Sequence, residues 1–340
     1  MNKLLSPRIS IKELFSRYGV LIAFILLFAI SASRQGEFFL KPDNLRNIVN
    51  QNVPVGIIAV GMTFVIITGG IDLAGGSLVA LVGALGLVFM NKQIDSRMSE
   101  GMAAILGSGL IVALGALGGL VQGIFIAFGR ITPFVATLVG MVAFRSMTVV
   151  LANGGEVRSL SKNVWPDVGI GGIPVPFVKD TQGNPIVIYY GIIAFIVVVM
   201  VGSFILNKTR YGRYAIAVGA NERASHYSAV PVNRVKLLTY MLSGICVGIA
   251  AVFLSGKMNS VASGSQGVNF ELDAIAAVVI GGTSLKGGYG RIWGTVIGVL
   301  LMGIITNMLV FENINSHWQG VVKGVVILLA VLLQRERRDV

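Results

Sequence analysis

Charged side chains are scarce in this chain. Asp, Glu, Lys and Arg together make up 12% of the 340 residues, whereas soluble domains carry about 25%. Hydrophobic residues reach 54%, and the mean hydropathy is +0.81. A transmembrane helix needs roughly 20 mostly apolar residues, and the chain offers many such runs but no long polar region. The composition therefore excludes an ordinary soluble protein and predicts an all-α, polytopic integral membrane protein with a single domain over residues 1–340.

Thiols and imidazoles are almost absent. Cys246 is the single cysteine and lies in an apolar run, while His226 and His317 are the two histidines. One thiol excludes an internal disulfide or a thiolate metal cluster, and the two histidines fall on opposite sides of the predicted bilayer. The sequence also lacks a nucleotide-binding P-loop, a nucleophile elbow and the H-E-x-x-H motif. We therefore expect no catalytic residues, no metal, no cofactor and no ATPase activity in this chain.

Acidic residues number 15 against 27 basic ones, which gives a net charge of +12. A soluble protein of this charge would suggest nucleic acid, but in a membrane protein basic residues concentrate in cytoplasmic loops. We therefore expect no nucleic-acid partner, and both termini in the cytoplasm of a bacterial cell, on the inner face of its inner membrane. That orientation puts nearly every basic cluster on one side: Arg130; Lys208, Arg210, Arg213, Arg223, Arg234 and Lys236; Lys286 and Arg291; and Arg335, Arg337 and Arg338.

Apolar runs and their polar punctuation predict about ten membrane spans. They lie near residues 19–33, 53–68, 77–91, 102–128, 132–151, 187–206, 236–256, 271–281, 292–310 and 318–333. The second and eighth spans are short, which is typical of broken or partial helices. An even number of spans keeps both termini on the same side, as the basic loops require.

Two glycine-bracketed breaks share the pattern G-G-x-x-L-x-G-G. They run from Gly69 to Gly76 and from Gly281 to Gly288, and each follows an apolar run and precedes another. Irregular backbone survives at membrane depth only where it is packed in protein or lines a watery cavity. Short segments beside such breaks often mark the substrate path of a transporter. The two breaks therefore predict where a solute crosses.

Two loops are long enough to have functions of their own. The outer loop, residues 152–186, contains four prolines and Trp165, which favours a structured cap able to meet an external partner. The cytoplasmic loop, residues 207–235, is basic. In it Asn221 is predicted to cap a short helix from Glu222 to Ser228. Such an exposed helix is suited to docking another protein.

Ionisable residues inside spans are costly and therefore informative. Asp72 in the first break has two readings: contact with a polar substrate or gate, or capping of a helix that begins near Ala74 to Ser77. Arg145 in the fifth span is predicted either to pair with a carboxylate such as Asp72, to donate to a ligand, or to reach toward the outer interface. Lys323 in the last span is expected to serve as a structural partner for carbonyls or a carboxylate.

Other polar and small residues in the spans favour packing. Gln122 and Asn307 are expected to bond between helices, and Glu271 and Asp273 to cap the start of the eighth span. Close helix contacts are predicted at four glycines of the fourth span: Gly115, Gly118, Gly119 and Gly123. The candidate residues for the substrate path are Thr68, Gly70, Asp72, Arg145, Gly282, Thr283, Ser284 and Asn307.

Five stretches in order resemble one family. They are the strings at 68–73, 130–138, 209–230, 271–282 and 318–324, beginning TGGIDL, RITPFVATL, TRYGR, ELDAIAAVVIGG and WQ. Together they are similar to permease subunits of ribose-type ABC importers, which include ribose, galactose, xylose and autoinducer-2 systems. The resemblance covers residues 45–333. It implies a non-enzymatic subunit in the bilayer that moves a monosaccharide or similar small polar solute inward by alternating access.

The resemblance also implies partners: a second permease copy or paralogue, a cytoplasmic ATPase, and a periplasmic or extracellular sugar-binding protein. The cytoplasmic loop would contact the ATPase through Arg213, Gly219, Asn221, Glu222, Ala224 and Ser228. Two alternatives stay open at this point. One is an ion-coupled secondary transporter that uses Asp72, Arg145 and Lys323 as a charge relay, and the other is a branched-chain amino acid ABC permease.

Overall fold

The structure, a computed structural model, describes residues 11–179, 183–315, 318–326 and 328. Within these residues, seven helices are long and apolar enough to cross a membrane. They are α3 (Pro42–Ile67), α4 (Gly75–Asp95), α5 (Glu100–Ala127), α6 (Pro133–Leu151), α8 (Tyr190–Lys208), α11 (Val232–Met258) and α13 (Ile292–Phe311).

Shorter elements complete the described chain. The helices are α1 (Ile11–Gln35), α2 (Glu37–Leu40), α7 (Val164–Ile170), α9 (Arg210–Ala220), α10 (Glu222–Tyr227) and α12 (Phe270–Ile280). The strands are β1 (Glu156–Arg158), β2 (Gly172–Lys179), β3 (Pro185–Tyr189) and β4 (Ser260–Ala262), which form two antiparallel pairs, β1–β4 and β2–β3. The predicted helical, polytopic class is confirmed, with these four short strands added in loops.

The predicted total of about ten spans is not reproduced by the described residues. In α1 the apolar helix is the shorter stretch Gly19–Gln35, and α12 has 11 residues, about half of what a bilayer requires. Residues 318–326 are helical, but the rest of the span predicted to end at 333 lies outside the described residues.

The second predicted span is too short by eleven residues, because α3 begins at Pro42 rather than at Val53. Polar residues before Val53 led the sequence prediction to start late, yet they are bonded within the bundle. Asn44 pairs with Asn307 of α13, where Asn307 Nδ2 donates to Asn44 Oδ1 over 2.9 Å. Asn52 donates to the carbonyl of the preceding turn. Amides satisfied in this way let the helix extend through a polar sequence.

Helices α5 and α11 form the closest pair in the core. A Cβ placed on Gly119 would lie 2.1 Å from the Tyr240 carbonyl oxygen, and one on Gly115 would lie 2.4 Å from the Gly244 oxygen. The glycines of the two helices therefore meet backbone to backbone. This confirms the packing role predicted for the glycines of the fourth span. Cys246, on the same helix α11, is buried as predicted.

Replacing Gly119 by leucine is expected to lower the thermal stability of the detergent-purified protein strongly, because the new side chain meets backbone that has no room to move. We expect the free energy of unfolding to fall by at least about 3 kcal/mol, as fits overpacking of this severity. Gly109→Leu is the matched control, since a Cβ there meets nothing within 4 Å on the same helix. Equal melting temperatures for the two variants would contradict the close packing of α5 and α11.

The loops divide between the two ends of the bundle. At one end, the β-loop end, β1 after α6 pairs with β4 after α11. There Asn91 of α4 donates to the Arg158 carbonyl, and Glu100 of α5 accepts from the Ser161 hydroxyl over 2.6 Å. At the other end, the α-loop end, α9 and α10 join α8 to α11. The predicted outer loop is thus structured, because α7 and β1 to β3 lie in or directly beside it.

Candidate functional site

The first glycine break is an irregular, mostly buried segment between two helices. Helix α3 ends at Ile67, α4 begins at Gly75, and residues 70–74 have no helical or strand structure. Gly69 has φ +81°, a conformation that other residues rarely adopt. Gly70, Asp72 and Ala74 are buried. Irregular backbone therefore lies inside the protein between two apolar helices, as the sequence predicted.

Asp72 fixes this segment through two hydrogen bonds. One carboxylate oxygen accepts from the Ala74 backbone N–H over 3.0 Å, and the other accepts from the Ser243 hydroxyl of α11, also over 3.0 Å. The first bond satisfies an N–H group at the start of α4. The capping reading of Asp72 is confirmed, and its side chain is 3% exposed. Asp72 thereby ties the break to α11.

Polar side chains of other helices surround the same segment. The Thr137 hydroxyl of α6 donates to the Ile71 carbonyl over 3.2 Å. Tyr240 of α11 faces Gly70, where a Cβ would lie 2.4 Å from the phenol oxygen. The amide of Gln122 is buried, and within the described residues it has no hydrogen-bond partner. The interhelical bond predicted for Gln122 is therefore wrong, because packing places its amide against Gly140 instead.

The second break is a tight turn between α12 and α13. Gly282, Gly287 and Gly288 have φ values of +88°, +82° and +75°, and the Ser284 N–H donates to the Tyr289 carbonyl over 3.0 Å. Thr283 is fully buried. The two breaks are therefore different structures with similar sequences: the first is an irregular segment and the second is a compact turn.

The second break contacts the end of α3, two residues before the first break, at the α-loop end. The Gly288 N–H donates to the carbonyl of Ile67, the last residue of α3, over 2.9 Å. Gly219 of α9 lies against the same pair: a Cβ on it would be 1.7 Å from the Ile67 oxygen and 2.6 Å from the Gly288 nitrogen. We call these three residues the glycine junction. It joins the end of α3, the second break and the loop helix α9 by direct backbone contact.

The helices of the 207–235 loop are held firmly. Asn221 caps α10 by accepting from the Ala224 N–H over 2.9 Å, as predicted, although α10 ends at Tyr227. Glu222 pairs with Lys236 at the start of α11 over 2.7 Å. Arg213, Glu222 and Ala224 are exposed, so the loop presents a fixed surface. Ser228 forms the end of α10 and is exposed too.

Tyr211 anchors α9 from within. Its hydroxyl shares a hydrogen bond of 2.8 Å with Thr239 of α11. Burial raises the pKa of the Tyr211 phenol above its usual value, and the bond to Thr239 opposes that rise. The phenol therefore stays neutral at physiological pH and serves as a structural contact.

Arg145 does not pair with Asp72, so that reading is wrong. Its Nη1 donates to the carbonyl oxygens of Ser263 and Gln266, over 3.0 and 2.8 Å. The loop before α12 reaches into the bundle beside α6, and its carbonyls are nearer to the guanidinium than the carboxylate of the break. Beside Arg145 lies a cavity of about 350 Å³. It is lined by Ser77, Met141, Val142, Arg145, Ser146, Val268, Asn269 and Glu271.

Two other predicted residues lie away from the breaks. Asn307 bonds Asn44 near the start of α3, whereas both breaks meet the end of α3. Lys323 donates to Asp273 of α12 over 2.9 Å, which confirms its predicted structural pairing. Asp273 therefore lies in the first turn of α12 and also forms an ion pair with a residue of another helix. These contacts are structural.

Comparison with known proteins assigns this chain to a family. The profile of the family described as "Branched-chain amino acid transport system / permease component" matches residues 44–331. The chain belongs to this permease family. A multi-pass membrane permease agrees with the seven apolar helices of the described residues. No solved structure gives a significant match to this permease.

Curated relatives cover nearly the whole permease. It is 39% identical to the ribose import permease protein RbsC of Escherichia coli (strain K12) over 324 residues, which is 94% of this chain and 93% of that protein. It is 33% identical to the L-arabinose ABC transporter permease protein AraH of Azospirillum brasilense, over 96% and 90% of the two chains. It is 30% identical to the xylose transport system permease protein XylH of Haemophilus influenzae (strain ATCC 51907 / DSM 11121 / KW20 / Rd), over 94% and 96%.

Sequence reasoning missed two side chains and one contact in this permease's central region. Ser243 and Tyr240 were absent from the candidate residues although they flank the first break. In the sequence, each is only a hydroxyl-bearing residue in an otherwise apolar run. That feature alone does not distinguish a residue that contacts the first break from an ordinary core residue. The contact of Gly219 with Ile67 and Gly288 had no local signal. Among the predicted path residues, Gly70, Asp72, Gly282 and Thr283 do lie in the breaks, and Thr68 closes α3.

Proposed function

We propose that this chain is the membrane permease subunit of an ABC importer that carries a monosaccharide inward by alternating access. The observation that supports it most is end-to-end similarity to permeases named for ribose, L-arabinose and xylose. The buried irregular backbone at the first break supplies the kind of polar lining that membrane transporters use. The subunit performs no bond chemistry, so its work is to move between an outward-open and an inward-open state.

Three partners belong to this proposal: a second permease copy or paralogue, a cytoplasmic ATPase, and an extracytoplasmic sugar-binding protein. The α-loop end would face the cytoplasm, together with both termini. The basic residues of the loop between α8 and α11 support this orientation. Ten spans in total would keep both termini on that side. The β-loop end, with α7 and the β2–β3 hairpin, would receive the binding protein.

The glycine junction supplies a physical route from ATP to the path. In this proposal the ATPase binds the exposed surface of α9 and α10, at Arg213, Glu222 and Ala224. A shift of α9 would press Gly219 on the Ile67 carbonyl and on Gly288, which are bonded to each other. One movement would then reach both breaks. In the state that admits the solute, the path would be lined by Thr68, Gly70, Asp72, Gly282, Thr283 and Ser284.

The charges argue against an ion-coupled transporter. A proton or Na⁺ relay would need Asp72, Arg145 and Lys323 to communicate. Asp72 is instead engaged with Ala74 and Ser243, and Arg145 with two carbonyls. Lys323 is paired with Asp273. Each charge therefore has a local structural partner, which favours transport powered by a separate ATPase.

Reconstitution tests the proposal. The permease is placed in proteoliposomes with the ATPase and the binding protein encoded by neighbouring genes, and uptake of labelled D-ribose, D-xylose, L-arabinose and L-leucine is measured. We expect uptake of at least one sugar that requires ATP and withstands a proton ionophore and the absence of Na⁺. Sugar uptake driven by an ion gradient without the ATPase would contradict the proposal. Uptake of L-leucine but of none of the sugars would assign the chain to amino acid transport.

A further inference from the structure

The cavity beside Arg145 is a second feature of the bundle, separate from the glycine junction. It lies between α6, the start of α4 and the loop before α12. Its volume of about 350 Å³ falls within the range of roughly 300–1,000 Å³ of small-molecule sites. Only 17% of the apolar window of α6 is buried, and Ser146 on that helix is exposed. The cavity therefore opens beside α6, on a face of that helix that the rest of the chain leaves uncovered.

The cavity wall is held in place by bonds that do not involve a ligand. Arg145 is clamped to the Ser263 and Gln266 carbonyls. The neighbouring Gly267 approaches the start of α4 so closely that a Cβ on it would lie 2.3 Å from the Gly76 oxygen. Glu271 is 8% exposed, and its carboxylate accepts from the Gly76 N–H. The polar groups are thus pre-positioned, which lowers the cost of binding.

The hydrogen-bonding capacity left in the cavity suits a neutral polyol. A guanidinium has five N–H groups, and the bonds from Nη1 to two carbonyls leave three for a ligand. Ser146 and Asn269 add groups that both donate and accept. Arg145 and the acidic side chain of Glu271 both line the cavity, so the cavity offers no single charge that would select an ionic ligand. Met141, Val142 and Val268 supply apolar surface for the C–H face of a sugar ring.

We infer that this cavity is a transient binding site for a monosaccharide between the binding protein and the first break. The inference rests on the proposed function and adds a location to it. Arg145 and Asn269 would bond ring hydroxyls, and Ser146 would stand at the opening. The sugar would then pass along α4 toward Asp72, because Ser77 of the cavity wall and Asp72 both lie at the start of that helix.

Cysteine protection tests the site, and the single native thiol makes it practical. In a Cys246→Ser background, Ser146→Cys is introduced into the full permease–ATPase complex and labelled with a charged methanethiosulfonate. We expect D-ribose, D-xylose or L-arabinose, whichever the complex imports, to slow labelling about tenfold at roughly ten times its dissociation constant. Val150→Cys is the matched control, since it is exposed on the same helix but outside the cavity wall. Its labelling should not change.

The outcomes separate the site from the function. If the Ser146→Cys complex imports a sugar but that sugar leaves its labelling rate unchanged, the cavity site is wrong while the proposed function stands. Equal slowing at Ser146→Cys and Val150→Cys would indicate a global change of conformation and would also overturn the site. If the complex with native residues imports no sugar, the proposed function itself fails. Selective protection at Ser146→Cys supports the inference.

Discussion

Asp72→Ala is expected to reduce sugar uptake about a hundredfold while the protein still inserts. The substitution removes the acceptor for the Ala74 N–H and for the Ser243 hydroxyl, and both donors are buried. An unsatisfied buried donor costs about 1–3 kcal/mol, so the irregular segment would leave its position between α3 and α4. Uptake by the reconstituted complex and the amount of protein in the membrane fraction are the two measurements.

Asp72→Asn is the matched variant, because an amide can accept from Ala74 and donate to Ser243. We expect it to keep most of the uptake, since the role of Asp72 is to hold backbone rather than to carry charge. Bulky replacements at two glycines of the breaks test the same path, and each acts for a different physical reason. Leucine at Gly70 would collide with the Tyr240 hydroxyl, whereas at Gly282 it would be strained by φ +88°. Normal uptake by Asp72→Ala and by both glycine variants would refute a path at the breaks.

Gly219→Val is expected to uncouple ATP hydrolysis from transport. A Cβ at Gly219 would lie 1.7 Å from the Ile67 oxygen, so α9 must move away and the bond from Gly288 to Ile67 is disturbed. The exposed surface of α10 keeps its own cap at Asn221, so the ATPase can still dock. The expected result is at least a tenfold lower ratio of sugar imported to ATP hydrolysed.

The matched control for this variant is Tyr214→Val. Tyr214 lies on the same helix α9 and is exposed, so a valine there should be tolerated with a ratio within about twofold of the original. Loss of ATPase association in Gly219→Val, seen by co-purification, would indicate a disrupted docking surface instead. An unchanged ratio in Gly219→Val would show that the glycine junction does not transmit the movement.

Local chemistry accounts for the features that the sequence predicted well. Asp72 lies three residues before the start of α4 and accepts from the N–H of Ala74, two residues along the chain, so this contact follows from nearby residues. The same holds for Asn221, whose partner Ala224 is three residues away. The glycine pattern of α5 also predicted close packing correctly, because small residues at helical spacing serve little else in an apolar helix.

Features that depend on distant parts of the chain were beyond sequence reasoning. The partners of Arg145 lie in a loop more than a hundred residues later, and backbone carbonyls leave no mark in the sequence. The start of α3 was predicted too late because Asn44 is a polar residue typical of a loop. Its hydrogen bond with Asn307, which lies far along the chain, satisfies its amide within a helix. The two breaks looked equivalent in the sequence because their glycines match. The residues packed against each break differ, and they make the first break an irregular segment and the second a compact turn.

The glycine contact between α5 and α11 also sets an order of assembly. Helix α5 ends at Ala127 and α11 begins at Val232, so roughly a hundred residues are synthesised before the partner surface exists. At about 5–20 residues per second, α5 waits in the bilayer for about 5–20 seconds. During that time its glycine face is open to lipid or to any other small-residue helix. Assembly of this permease therefore has a late step, in which α11 closes the core after the earlier helices are already inserted.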